Sequence, residues 1–158
     1  MSDIPMPPSA VQVVQVMVSA TPYARALGFE VTAVGDSRVT MRTPYRADLI
    51  GDPETGVIAG GVITALLDHV AGASVMAAMK ERQSIATLDL RIDYLRAAEP
   101  GRDIFAEAHC YKVTRSVAFV RAVAFEDSPD NPVANATAAF MIASDGARKM
   151  GANTRPPR

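Results

Sequence analysis

The sequence predicts an α+β fold, in which a curved antiparallel sheet wraps around one long central helix and a further helix precedes it. Three observations carry this. From Val62 to Met79 almost every residue is apolar or small, as in a helix buried on most sides. Beyond it, Leu88, Leu90, Ile92 and Tyr94 alternate with Thr87, Asp89, Arg91 and Asp93, the period of two that belongs to a strand. The rest of the second half is a series of strand-like runs joined by short turns. Such runs pair antiparallel, and a lone apolar helix needs a sheet to bury it.

The elements follow in order. Residues 1–8 are proline-rich and read as a flexible N-terminus. Ser9 and Gln12, three positions apart, form a capping box that opens a helix over 10–20. Thr21-Pro22 starts a second short helix with proline at its first position, and Gly28 stops it. The alternating run from Phe29 to Val34, the Gly35-Asp36-Ser37 turn and the run Arg38 to Thr43 make a hairpin. Residues 44–58, rich in Gly, Pro and Asp, read as a loop, and the central helix occupies 60–80. After the alternating strand at 87–94, strands are expected at 103–114, 117–126 and 133–143, with Pro100-Gly101, Thr114-Arg115-Ser116 and Ser128-Pro129-Asp130-Asn131-Pro132 between them. A single domain then spans 9–144, and 145–158 reads as a flexible C-terminal tail.

Composition narrows the function. A chain of 158 residues suffices for one domain with a substantial core. A net charge of −1 gives no footing for nucleic acid or for an anionic membrane surface. The apolar stretch Val11 to Val18 is far short of the ~20 residues that span a bilayer. Asp3 and the prolines stand where a secretion signal would carry Lys or Arg, and the lone Cys110 makes a reduced, cytoplasmic setting the expectation. The single cysteine, Cys110, rules out an internal disulfide and reads as a small buried residue. Two histidines and one cysteine without ligand spacing argue against a metal.

One feature of the central helix bears on chemistry. Asp68 sits in its apolar middle, where a carboxylate is costly unless paired, protonated or kept for reaction. Gly60 and Gly61 at its start leave backbone N–H groups unobstructed at the positive end of the helix dipole. The residues allow a core helix that tolerates one Asp, or acyl chemistry with the glycines holding an oxyanion. On the second reading, eight residues separate Gly60 from Asp68, or about 12 Å along the axis. One chain cannot then apply both to the same carbonyl, whereas two antiparallel copies can, which argues for a two-fold dimer with shared sites.

The neighbouring residues have bland alternatives. Thr64, one turn before Asp68, can bond that carboxylate or its own backbone. His69 points about 100° away from Asp68 on a helix and is expected to pack. His109, mid-strand, reads as structural. Met76, Met79 and Met141 suit a core or the lining of an apolar tunnel.

The runs Gly51-Asp52-Pro53, Thr55-Gly56-Val57, Gly60-Gly61-Val62-Ile63, Leu66-Leu67-Asp68 and Gly72, with Ala86-Thr87-Leu88-Asp89 and Asp93-Tyr94-Leu95-Arg96, resemble the hotdog-fold acyl-CoA thioesterases of the PaaI-like type. The likeness extends from about Tyr23 to Ile142. It implies a hotdog fold that hydrolyses acyl-CoA to free acid and coenzyme A without metal or bound cofactor. It further implies that Gly60, with Gly61 beside it, holds the thioester oxygen, that Asp68 of a second subunit attacks the carbonyl or activates water, and that Thr87 places that water. Such proteins form side-by-side homodimers, often paired again into tetramers.

This chain departs from the family at the residue before the glycine pair. His is usual there and Ala59 stands instead, while Pro53 occupies the place of a frequent Asn. Asp52 and His69 are the residues that could substitute. Asp52, Ala59 and Thr64 are thus candidates for contact with the substrate, and Arg96 and Arg115, at strand ends, for the phosphates of coenzyme A through bidentate contacts. Two rivals to hydrolysis stay open. One is an acyl-CoA-binding protein of weak activity. The other is an acyl-thioester dehydratase or hydratase, which would want a His beside its acid.

Overall fold

The computed structural model describes residues 9–79, 81 and 83–143. The two terminal segments expected to be flexible lie outside these residues. Helices are α1 (Ala10–Ser19), α2 (Pro22–Ala26) and α3 (Gly60–Ala78). Strands are β1 (Glu30–Gly35), β2 (Arg38–Thr43), β3 (Ile50–Asp52), β4 (Val57–Ile58), β5 (Ile85–Tyr94), β6 (Ile104–Val113), β7 (Val117–Phe125) and β8 (Ala134–Ile142). Six of them form one antiparallel sheet in the order β1-β2-β6-β7-β8-β5. α3 packs across its inner face, mainly on β6, β2 and β7. This is the hotdog arrangement that the sequence predicts.

Local chemistry explains the boundaries. Ser9 Oγ accepts from the Gln12 amide while Gln12 Oε1 accepts from the Ser9 amide, the reciprocal cap that opens α1. Gly28 takes φ +72°, a conformation that costs most side chains, and leads the chain out of α2 into β1. The inner faces of β6, β7 and β8 are unusually small: Ala106, Ala108, Ala118, Ala124 and Ala134 are all buried. α3 supplies the bulk that fills the space above them, with Leu66, Leu67, Val70 and Val75 fully enclosed. Each such side chain is worth about 1.5–3 kcal/mol by burial. By length and apolarity α3 would also suit a bilayer, but here it is the core helix of the sheet.

The structure departs from the sequence reading in two places. The segment 44–58, expected as loop, contains a 3₁₀ turn at Ala47–Leu49 and the short β3–β4 pair. Strands of two and three residues are too short to display a period. More consequential is β5, where Thr87 pairs with Phe140 and Asp89 with Ala139, leaving Leu88 as an extra residue. This bulge breaks the simple alternation. Thr87 therefore lies on the inner face with Leu90 and Ile92, and Leu88 is left 56% exposed at the sheet edge.

Candidate active site

The site is built on the first two turns of α3. Ala59 is its N-cap and offers no side-chain cap. It is held through its backbone instead. Its amide donates to the Leu49 carbonyl at 2.9 Å, and its carbonyl accepts from the Val62 amide at 3.0 Å. Gly51 lies so close that a Cβ there would stand 2.6 Å from the Ala59 Cα. Only glycine admits that approach. Gly60 and Gly61 follow, both exposed, and a Cβ on Gly61 would meet nothing within 4 Å. The first amides of a helix have no intrahelical acceptor, so this end presents donors to open space.

The other face of the same turn is closed by hydroxyls. Tyr94 Oη donates to the Gly60 carbonyl at 2.7 Å, and Thr64 Oγ1 donates to it at 3.1 Å. The two hydroxyl oxygens are 2.9 Å apart. Thr64 thus turns its one hydroxyl proton to the backbone, with Tyr94 Oη alongside. Two turns on, Asp68 Oδ1 accepts from Thr87 Oγ1 at 2.9 Å, a contact that exists because the bulge turns Thr87 inward. Asp68 is half-buried rather than enclosed, so the cost expected of an acid deep in an apolar helix is reduced by partial solvation and by this donor.

The remaining candidates are placed elsewhere. His69 Nδ1 lies 2.9 Å from the Ala65 carbonyl, and its ring meets Phe29 edge-on at 5.3 Å. Both contacts are those of a packed ring, away from the glycine turn of its own chain. Asp52 accepts from Thr55 Oγ1 at 2.6 Å and from the Glu54 amide at 3.1 Å; these bonds hold its carboxyl below the usual range and shape the β3–β4 turn. Arg96 is engaged with Glu126, whose carboxylate is nearly enclosed. One guanidinium nitrogen donates to Glu126 Oε1 at 3.0 Å and the other to Glu126 Oε2, with a further bond to the Asn131 carbonyl at 2.9 Å. Burial pushes the Glu126 carboxyl up, but Arg96 and the Glu99 amide outweigh it and hold it below its ordinary value. That pairing ties Arg96 to Glu126 and to the β7–β8 turn. Arg115 is exposed at the β6–β7 turn, beside Met79 and Ile142 at the far end of α3. From Gly60 to Ala78 α3 runs about 27 Å, so one chain does not bring Arg115 to its own glycines.

An apolar cavity of about 530 Å³ lies between α1, the end of β1 and the end of α3, lined by Val13, Val14, Met17, Val34, Met76 and Met79. Two of the sequence-named methionines therefore line a cavity. Sequence reasoning missed Tyr94 as part of the glycine turn. Its alternation with Leu90 and Ile92 marked it only as part of a strand, and no local signal links it to Gly60, which precedes it by thirty-four positions.

Comparison with known proteins agrees with this architecture. A thioesterase superfamily profile matches residues 55–132, from the β3–β4 turn to the β7–β8 turn. A Pseudomonas aeruginosa protein of solved structure is 40% identical, with a TM-score of 0.76, over 83% of this chain and 97% of that one. The medium/long-chain acyl-CoA thioesterase YigI of Escherichia coli is 26% identical over 81% of this chain and 90% of its own length. The phenylacetic acid degradation protein PaaI of Thermus thermophilus, solved as a point mutant, is 25% identical with a TM-score of 0.67, over 77% of this chain and 98% of that one. With its six-stranded sheet closed over one apolar helix, this chain belongs to the thioesterase superfamily and is PaaI-like in structure.

Proposed function

We propose that the protein hydrolyses acyl-CoA thioesters at sites shared between two copies of the chain. Thioester hydrolysis as a class follows from the family; the substrate and the residue roles are this reading's own. The observation that carries it is the Thr87–Asp68 hydrogen bond, which holds a carboxylate on the open side of α3, where water reaches it. Asp68 takes a proton from water, the resulting hydroxide adds to the thioester carbonyl, and the oxygen's negative charge rests on the exposed glycine amides. Collapse breaks the C–S bond, and the thiolate of coenzyme A takes up a proton. The same geometry allows Asp68 to attack directly, with water then cleaving the anhydride.

Sharing follows from distance and from the edge of the sheet. The glycines and Asp68 of one helix stand about 12 Å apart. Among the described residues β5 has one neighbour, β8, and shows Leu88 at its outer edge. Joining two copies along β5 extends the sheet, covers that edge and sets the helices antiparallel. Arg115 of the copy that supplies Asp68 then remains the candidate for the phosphates, since ten helical residues, about 15 Å, separate Asp68 from the end of α3 beside it. YigI, by name, acts on medium- and long-chain acyl-CoA, and the cavity beside Met76 and Met79 suits an apolar acyl group.

A second reading has its own observation. Ala59 supplies no side-chain contact at the helix start, which favours acyl-CoA binding with little turnover. A panel of acyl-CoAs, followed by thiol release and by calorimetric binding, separates the two. Release of stoichiometric thiol over repeated turnovers supports hydrolysis. Binding without release supports the second reading.

A further inference from the structure

The carbonyl of Gly60 and the amide of Gly61 belong to one peptide unit, which is planar and trans, so their directions are opposed and fixed to each other. Along a helix the carbonyl points toward the C-terminus and the amide toward the N-terminus. Whatever grips the Gly60 carbonyl therefore aims the Gly61 N–H into the open space before α3. Two hydroxyls grip it here, Tyr94 at 2.7 Å and Thr64 at 3.1 Å. Hydrogen bonds accepted by a peptide oxygen also polarise the N–H of the same unit and strengthen it as a donor.

Neither glycine has a side chain to pack, and among the described residues a Cβ on Gly61 would meet nothing within 4 Å, so the hydroxyls add to the helix's own bonds and the backbone ties at Ala59 in fixing this turn. A side-chain cap from residue 59 is also missing. Tyr94 is well suited to the task because its own strand end is tied down on either side. Tyr94 pairs with Ala134, the Leu95 amide donates to the Val133 carbonyl at 2.8 Å, and Arg96 is clamped to Glu126. The tyrosine ring stands over Gly60, with its hydroxyl 3.6 Å from where a Cβ would lie.

We infer that Tyr94 is a positioning residue that acts, together with Thr64, through the Gly60–Gly61 peptide, and that it makes the Gly61 amide a second donor to the thioester oxygen beside that of Gly60. This rests on the hydrolase reading above and adds to it the means by which a chain with Ala59 orients its oxyanion site. The ligand class is unchanged, an acyl thioester whose carbonyl oxygen meets two backbone amides.

Tyr94→Phe removes one hydroxyl from a half-exposed ring and leaves the ring in place. The expected result is a fall in kcat of about three- to ten-fold, with KM and the melting temperature close to those of the unaltered protein. The Gly61 amide proton resonance should shift upfield as its peptide loses a hydrogen bond. Thr64→Ser, which keeps the second hydroxyl, should retain kcat, whereas Thr64→Val should lose part of it. An unchanged kcat with an unmoved Gly61 resonance overturns the inference. So does a kcat loss that tracks a lower melting temperature, which would make Tyr94 merely structural. Absence of thiol release by the unaltered protein overturns the hydrolase reading itself, and is seen before any variant is made.

Discussion

Thr87 donates a hydrogen bond to Asp68 at 2.9 Å across the gap between β5 and α3, and it does so from a position that plain alternation would turn the other way. The extra residue at Leu88 reverses the facing of everything before it on the strand. One backbone irregularity thus provides a partner for the acid on the central helix and, in the same step, exposes a large apolar side chain at the edge of the sheet.

Asp68→Asn should abolish thiol release while leaving the melting temperature nearly unchanged, because the amide keeps the shape and the Thr87 contact but is neither base nor nucleophile. Thr87→Val should act in the same direction and more weakly, by tens-fold or less. Retention of most activity by Asp68→Asn would remove this residue from the chemistry.

Light scattering should find at least a dimer. Leu88→Lys places a charge on the open edge of β5 and should shift the protein toward monomer, with activity falling in parallel. A monomeric variant that hydrolyses acyl-CoA at the full rate would sink the shared site.

Arg96→Ala should lower stability by about 2–3 kcal/mol, because it leaves the enclosed Glu126 carboxylate without its partner. Denaturant unfolding measures this. The pH dependence follows from the depressed Glu126 carboxyl. Its contribution to stability is present above the unfolded value near 4.5 and is lost as pH falls through the lower folded value. Glu126→Gln should accordingly flatten the acid limb of stability against pH below about 4.5. A KM effect for acyl-CoA that vanishes on a substrate without the nucleotide, with stability unchanged, would keep Arg96 among the phosphate-binding candidates.

Ala59→His places an imidazole at the N-cap of α3, where the PaaI-like pattern has one, and should raise hydrolysis of some acyl-CoA in a broad panel. Gly51 and the Leu49 carbonyl hold the backbone there, and the Ala59 methyl is half-buried against the core, so the imidazole has to leave that packing to reach the substrate side. No gain on any substrate would mean that the hydroxyls of Tyr94 and Thr64 already do what the imidazole would do.

The fold was legible in the chain because its signals are local and repeated. The apolar run from Val62 to Met79, the alternation along the later strands and the capping box at Ser9 each follow from a period or a spacing. Asp68, Gly60 and Gly61 were legible for the same reason, as polar or bare positions that interrupt an apolar helix. Contacts between distant segments were not. Tyr94 reaches Gly60, Thr87 reaches Asp68 and Arg96 reaches Glu126 only after the sheet has closed over α3, and a strand bulge that flips Thr87 leaves no trace in a pattern of apolar residues. Side-chain partners are set by strand register and by how the sheet curves, and both are decided by packing of the whole domain, where burial of the helix outweighs any local preference.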